Sequence, residues 1–234
     1  EAGMVDVEDF QPGQSYVVDI ELWDLGRREL RERKIDDIVA YGEAREGEEL
    51  DRHIGPNLTL VRLRCDGGLV RTLLTIEEIA EVDFPPEPDL LTAQHIDQTL
   101  AELPEPDALD DDAPLIGIID SGVNDHPLIE DIIVGSIAIP DILGTADDHG
   151  HGTFVGGIAT FGDLRAQLGT QSLVRQARLC SAKVIDNTGN FPSSRLVPRL
   201  MREAITRLNE EFGCRIFVIA LGDRTKVVEG GKVG

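Results

Sequence analysis

The chain has 234 residues, 41% of them hydrophobic and 28% charged, with a formal net charge of −22. That length supports one or two domains, each with its own core, and no apolar run reaches the roughly 20 residues of a membrane span. So acidic a balance argues against nucleic acid or an anionic lipid surface as partner. The excess is concentrated: Thr72 to Leu164 holds no lysine or arginine but 21 of the 44 acidic residues. Either this is a solvated, salt-tolerant surface, or it borders a cleft that attracts cationic peptides. Cys65, Cys180 and Cys214 have wide, irregular spacing that forms no metal or disulfide pattern, which suits buried thiols in a reducing compartment. The opening EAGMVDVEDF has neither basic n-region nor apolar h-region, so a cytoplasmic location is expected.

In chain order, SYVVDIELW (15–23) alternates as a strand, and 25–44 is helical in composition, with Leu30, Ile35, Ile38 and Val39 as a rough apolar stripe. Gly55-Pro56-Asn57 breaks the chain before LTLVRLRC, which reads as a half-buried strand. Asp66-Gly67-Gly68 marks a turn, LVRTLLTIEEIA (69–80) a helix, and AEVDFPP a strand stopped by two prolines. The sum for 1–86 is a small α+β domain, with room for one further strand that the pattern does not place. Residues 87–113 form an acidic linker with Pro104, Pro106 and Asp110–Asp112, in which Thr92–Leu103 can make a short helix.

From 114 to 234 buried strands alternate with helices. LIGIID and RLCSAKVID (178–186) are strands, 152–161 and Ser193–Phe212 helices, and CRIFVIALG (214–222) another strand. Runs apolar on both faces and separated by helices predict a parallel sheet covered on both sides. In such sheets functional groups gather beyond the carboxyl ends of the strands. Asp120 ends the first of these strands.

Asp120-Ser-Gly-Val and, after it, His151-Gly-Thr-Phe-Val-Gly-Gly-Ile resemble the aspartate and histidine motifs of the subtilisin-like serine peptidases, the subtilases, in the order that family uses. Taken singly, Asp120 is an ordinary turn residue and His151 an ordinary structural histidine; together they resemble a carboxylate-oriented base. The resemblance implies a serine endopeptidase acting on peptide or protein substrates. In it Asp120 would hold the imidazole of His151, and His151 would take the proton of a serine hydroxyl and return it to the leaving amine. Asp148, His149, Gly150, Gly152 and Thr153 would set the loop and the helix start. IALGD (219–223) resembles the segment whose main chain pairs with substrate, which places Ala220, Leu221 and Gly222 in substrate binding, although Ala220 stands where the family usually has serine.

The resemblance thus implies part of a subtilisin-like parallel sheet with helices on both faces, preceded by a small α+β, ferredoxin-like domain of propeptide type acting as an intramolecular partner. Residues 1–86 would be that domain, 87–113 the linker and 114–234 the N-terminal part of the catalytic domain. The family's Gly-Thr-Ser motif is absent from these residues, and none of Ser15, Ser121, Ser136, Ser172, Ser181, Ser193 or Ser194 stands in such a motif. A nucleophile outside the chain is therefore expected, and the chain by itself is expected not to hydrolyse peptides. The other readings are a catalytically inactive interaction module that keeps the fold, and a metallohydrolase built on the His149-x-His151 pair with His126, Asp120, Asp147 and Asp148. The loop GDLRAQLGTQS shows no calcium-ligand series, so no metal or cofactor is expected.

Overall fold

The computed structural model describes residues 7–90, 103–110, 112–164, 166–167, 172–223, 227–228 and 232–233. By its contacts the chain divides into two units: Glu1–Glu87 with Pro192–Arg199 and Asp223–Gly234, and Pro88–Phe191 with Leu200–Gly222.

In the first unit the order is β1 (Ser15–Leu22), α1 (Arg28–Glu43), β2 (Glu48–Ile54), β3 (Thr59–Asp66), α2 (Gly67–Leu73) and β4 (Ile79–Asp83). The sheet runs β2-β3-β1-β4 with every pairing antiparallel. Alternate residues of β1, Val18, Ile20 and Leu22, bury against Val61, Leu63 and Cys65 of β3 and against Ile35 and Ile38 of α1. On the alternate positions Asp19 and Arg62 stand opposite each other across the β1–β3 ladder. The guanidinium, 1% exposed, grips both carboxylate oxygens at 2.6 and 2.7 Å. Its third nitrogen donates to the carbonyls of Ser193 and Arg195 in the same unit. Such satisfaction is what allows an arginine to be buried.

Two expectations are corrected here. The helix anticipated over 69–80 ends at Leu73, because Ile79–Asp83 leaves it to pair with β1. The Asp66-Gly67-Gly68 turn is the cap of that helix, with the Asp66 carboxylate accepting from Gly68 N at 2.7 Å. The strand the pattern could not place is β2.

The second unit holds β5 (Pro88–Asp89), β6 (Leu115–Asp120), β7 (Ile133–Ala138), α3 (His151–Phe161), β8 (Arg178–Lys183), α4 (Val197–Phe212, from Leu200 onward), β9 (Ile216–Val218) and the start of β10 (Gly222–Asp223). Its main sheet runs β7-β8-β6-β9, parallel throughout. The strands are two-faced, as their continuous apolar runs require. Ile118 and Leu179 pack with Val155 and Phe161 of α3, and their neighbours Ile119 and Cys180 pack with Leu200, Ala204 and Leu208 of α4. Helices thus cover both faces.

Here too the boundaries shift. β7, inside the run IIVGSIAIP, goes unmarked by any alternation. α4 begins four residues later than expected, with Pro198 in its first turn, where a missing N–H costs nothing. The strand expected over 214–222 joins the parallel sheet at Ile216–Val218, and Gly222 belongs to a different pairing. The helix expected at Thr92–Leu103 lies, but for Leu103, outside the described residues. A separate two-stranded sheet pairs β10 with β5.

All three cysteines are free and buried. Burial, with Asp66 adding, pushes the Cys65 thiol up to about 11. Burial also raises Cys180, whose thiol lies beside that of Cys214. No helix among the described residues is long and apolar enough to cross a membrane.

Candidate active site

The site lies at the carboxyl end of the central strand β6. Asp120 is fully buried there, and the chain turns sharply after it through Gly122, whose φ of +108° is open only to glycine. From across the turn comes the first residue of α3, His151. Its Nδ1–H donates to Asp120 Oδ1 at 2.7 Å. The same oxygen accepts the Ser121 backbone N–H at 2.7 Å, while Asp120 Oδ2 is buried without a partner among the described residues. The close approach depends on Gly152, because a Cβ there would stand 2.0 Å from the carbonyl oxygen of Gly122.

The loop before α3 is fixed through Asp147, a buried carboxylate. Its Oδ1 accepts from Ser121 Oγ at 2.7 Å, from His149 N at 3.1 Å and from Gly150 N at 2.9 Å. Its Oδ2 accepts from Thr153 N at 2.8 Å and Thr153 Oγ1 at 2.7 Å. It therefore caps the first turn of α3 from four residues before His151. Asn124 closes the arrangement by a reciprocal pair with the Asp147 main chain, 2.8 Å each way. Burial works against the Asp147 charge, but the bonds from Thr153 and Ser121 outweigh it and hold the carboxyl below the usual aspartate range.

A second anchor comes from β8. Lys183, 1% exposed, reaches the Ala146 carbonyl at 2.6 Å and Asp148 Oδ2 at 2.5 Å. His149 Nε2–H donates to the carbonyl of Asp186 at 2.8 Å. Burial tends to raise Asp186, but hydrogen bonds from Thr188 and Asn190 leave its carboxyl lowered.

Asp120 and His151 are therefore brought together. Ala220, Leu221 and Gly222 are not bonded to either among the described residues. The β6–β9 pairing stops at Ile118–Val218, two residues short of Asp120 and Ala220. Ala220 is exposed and Leu221 packs beside the α4 core. Of the metal-ligand set considered from sequence, the two loop histidines point to separate partners. No group of three or more His, Cys, Asp or Glu that could hold a metal ion occurs among the described residues.

Sequence reasoning missed Asn124 and Lys183, and it weighed Asp147 only as a metal ligand and Ser121 only as a nucleophile, not as the groups that hold the pair. The lysine had a signal, being a lone charge inside the apolar run LCSAKVI. Asp147 had none: a carboxylate in a polar, glycine-rich loop looks solvated until the tertiary fold buries it.

Chemically, Asp120 and His151 form an oriented base. The carboxylate fixes one tautomer by accepting the hydrogen bond of Nδ1–H, which leaves Nε2, without a partner among the described residues, to accept a proton. Residues 111–233, more than half the chain, match the Subtilase family. The chain belongs to the subtilase family. That is a family of serine peptidases, so its peptidase chemistry at the family level accords with this geometry. Residues 4–84 match a separate family described as the Y4kK central domain.

Among curated proteins, this subtilase is 57% identical over 135 residues to a Sinorhizobium fredii (strain NBRC 101917 / NGR234) protein named "Uncharacterized protein y4kK", a match covering 58% of this chain and 43% of that protein. It is 76% identical over 38 residues to "Uncharacterized protein y4bN" of the same strain, covering 16% of this chain and 9% of that protein. The chain thus spans less than half the length of either relative.

Proposed function

We propose that this chain is the N-terminal part of a serine endopeptidase, in which Asp120 orients and stabilises His151 and Nε2 of His151 acts as general base and then general acid. The observation that carries the reading is the 2.7 Å bond from His151 to a fully buried Asp120 at the carboxyl end of a parallel strand. The serine nucleophile comes from outside these 234 residues: Ser121, the serine nearest in sequence to Asp120, is committed to Asp147. Alone, the chain therefore leaves peptide bonds intact.

Residues 1–86 serve as a propeptide-like partner, 87–113 as a linker and 114–234 as the Asp/His part of the catalytic domain. Ala220–Gly222 bind substrate by strand addition, the main chain supplying affinity. Support comes from β10, whose Gly222–Asp223 main chain already pairs with Pro88–Asp89 of the chain's own connector. Leu90, which follows, packs against the same buried cluster as Leu221. A peptide substrate would use the same edge.

The test is steady-state hydrolysis of a peptide library by the protein encoded by the full reading frame. Asp120→Asn is expected to lower kcat on the order of 10^4-fold, the loss seen when the carboxylate of such a triad is neutralised, with KM little changed. Undiminished kcat in that variant, or hydrolysis abolished by a chelator and unaffected by serine-directed inhibitors, would contradict the reading.

A further inference from the structure

Ser121 Oγ lies between two carboxylates, 2.7 Å from Asp147 Oδ1 and 3.2 Å from Asp120 Oδ1. A hydroxyl carries one proton and can donate to only one of them. It also accepts, taking the N–H of Gly152, the residue after His151, at 3.0 Å. Asp120 Oδ1 already receives two donors, His151 Nδ1 and Ser121 N, both at 2.7 Å. A third donor would compete with the imidazole for the same charge.

We propose that Asp147 is a positioning residue for the Asp120–His151 pair: it takes the single Ser121 hydroxyl proton, and Asp120 Oδ1 thereby keeps its hydrogen-bonding capacity for His151. The shorter of the two Ser121 contacts is the one to Asp147, and all four groups, Asp120, Ser121, Asp147 and His151, are more than nine-tenths buried, so water does not relieve the competition. The neighbouring Asp148 cannot substitute, because Lys183 holds it. This role deepens the peptidase reading, on which it rests for the meaning of His151. The hydrogen bond is measurable without hydrolysis, so the two fail separately.

The experiment is proton NMR of the 234-residue chain, following the downfield Nδ1 proton of His151 and its exchange with water. Asp147→Ala frees the Ser121 hydroxyl to turn toward Asp120, and the His151 proton is expected to exchange about tenfold or more faster, the scale of one charge-assisted hydrogen bond. Asp147→Asn places its amide oxygen at the Oδ1 position, the side with three donors, and is expected to stay near the unmodified rate. The combined Ser121→Ala, Asp147→Ala variant removes the competitor and is expected to recover most of the loss.

A loop that had merely come loose would not recover when a second bond is deleted. A double variant as fast as Asp147→Ala, or an Asp147→Asn variant as fast as Asp147→Ala, overturns the role. Should Asp147→Ala not fold, neutron diffraction from the deuterated, unmodified chain decides: a Ser121 deuteron on the Asp147 side supports the role, and one on the Asp120 side overturns it.

Discussion

Gly152 shows how much of the site rests on what a residue lacks. A methyl group there would meet the Gly122 carbonyl oxygen at 2.0 Å, so either the strand end or the helix start must retreat. Gly152→Ala is expected to lower stability by about 2–3 kcal/mol, the scale of severe overpacking, and to lengthen the His151–Asp120 bond. Thermal unfolding and the His151 proton signal check both effects. Asp147 adds a dependence on pH. Its folded value lies below the ordinary aspartate value of about 3.9, so its contribution is full above that value and is lost as pH falls through the lower, folded one. Urea unfolding between about pH 5 and 2 is expected to show a steeper acid loss in the unmodified chain than in Asp147→Asn. The pair Asp120 and His151 was legible in sequence because its two motifs are local and ordered. The residues that hold the pair were not, because Ser121, Asn124 and Asp147 act through contacts 23 to 31 residues apart that no spacing rule encodes.

At the level of elements, the strands and helices that read clearly are those with one consistent period. β1 alternates and buries every second residue, and β6 is apolar on both faces because α3 and α4 each claim one. The misreadings have physical causes. TIEEIA has helical composition, but pairing of Ile79–Asp83 with β1 overrides a weak local preference. β2, EELDRHI, has only Asp51 buried along its length, so it shows no apolar face to detect. β3 carries a testable consequence, since Arg62 is buried only because Asp19 and two carbonyls answer it. Arg62→Met is expected to cost about 3 kcal/mol by stranding the Asp19 carboxylate, and adding Asp19→Leu should return most of that loss. Chemical unfolding of the two variants measures the difference; equal stabilities would show that the pair is not coupled.

For the whole molecule, the organisation joins two families in one chain: a Y4kK central domain over 4–84 and a subtilase match over 111–233. The first match falls within the unit whose core surrounds β1 and α1, whereas the second takes in the unit with cores on either face of the parallel sheet and also the 192–199 and 223–233 segments of the first unit. The stretch from Thr72 to Leu164, free of lysine and arginine, spans both the connector and the Asp/His pair, so the acidic excess of the chain is concentrated around them. An antiparallel module followed by a parallel sheet was legible in the switch of period near residue 114, whereas the return of 192–199 to the first unit was not, being a tertiary contact between distant segments. In the proposed reading the buried carboxylate of Asp120 makes a base of His151 that serves a serine nucleophile. The most direct measurement is covalent labelling of the protein from the full reading frame by a serine-directed fluorophosphonate. Stoichiometric labelling at a single serine outside these 234 residues is expected, abolished by His151→Ala while the fold is kept; labelling that persists in that variant, or none in the unmodified protein, would rule out the peptidase reading.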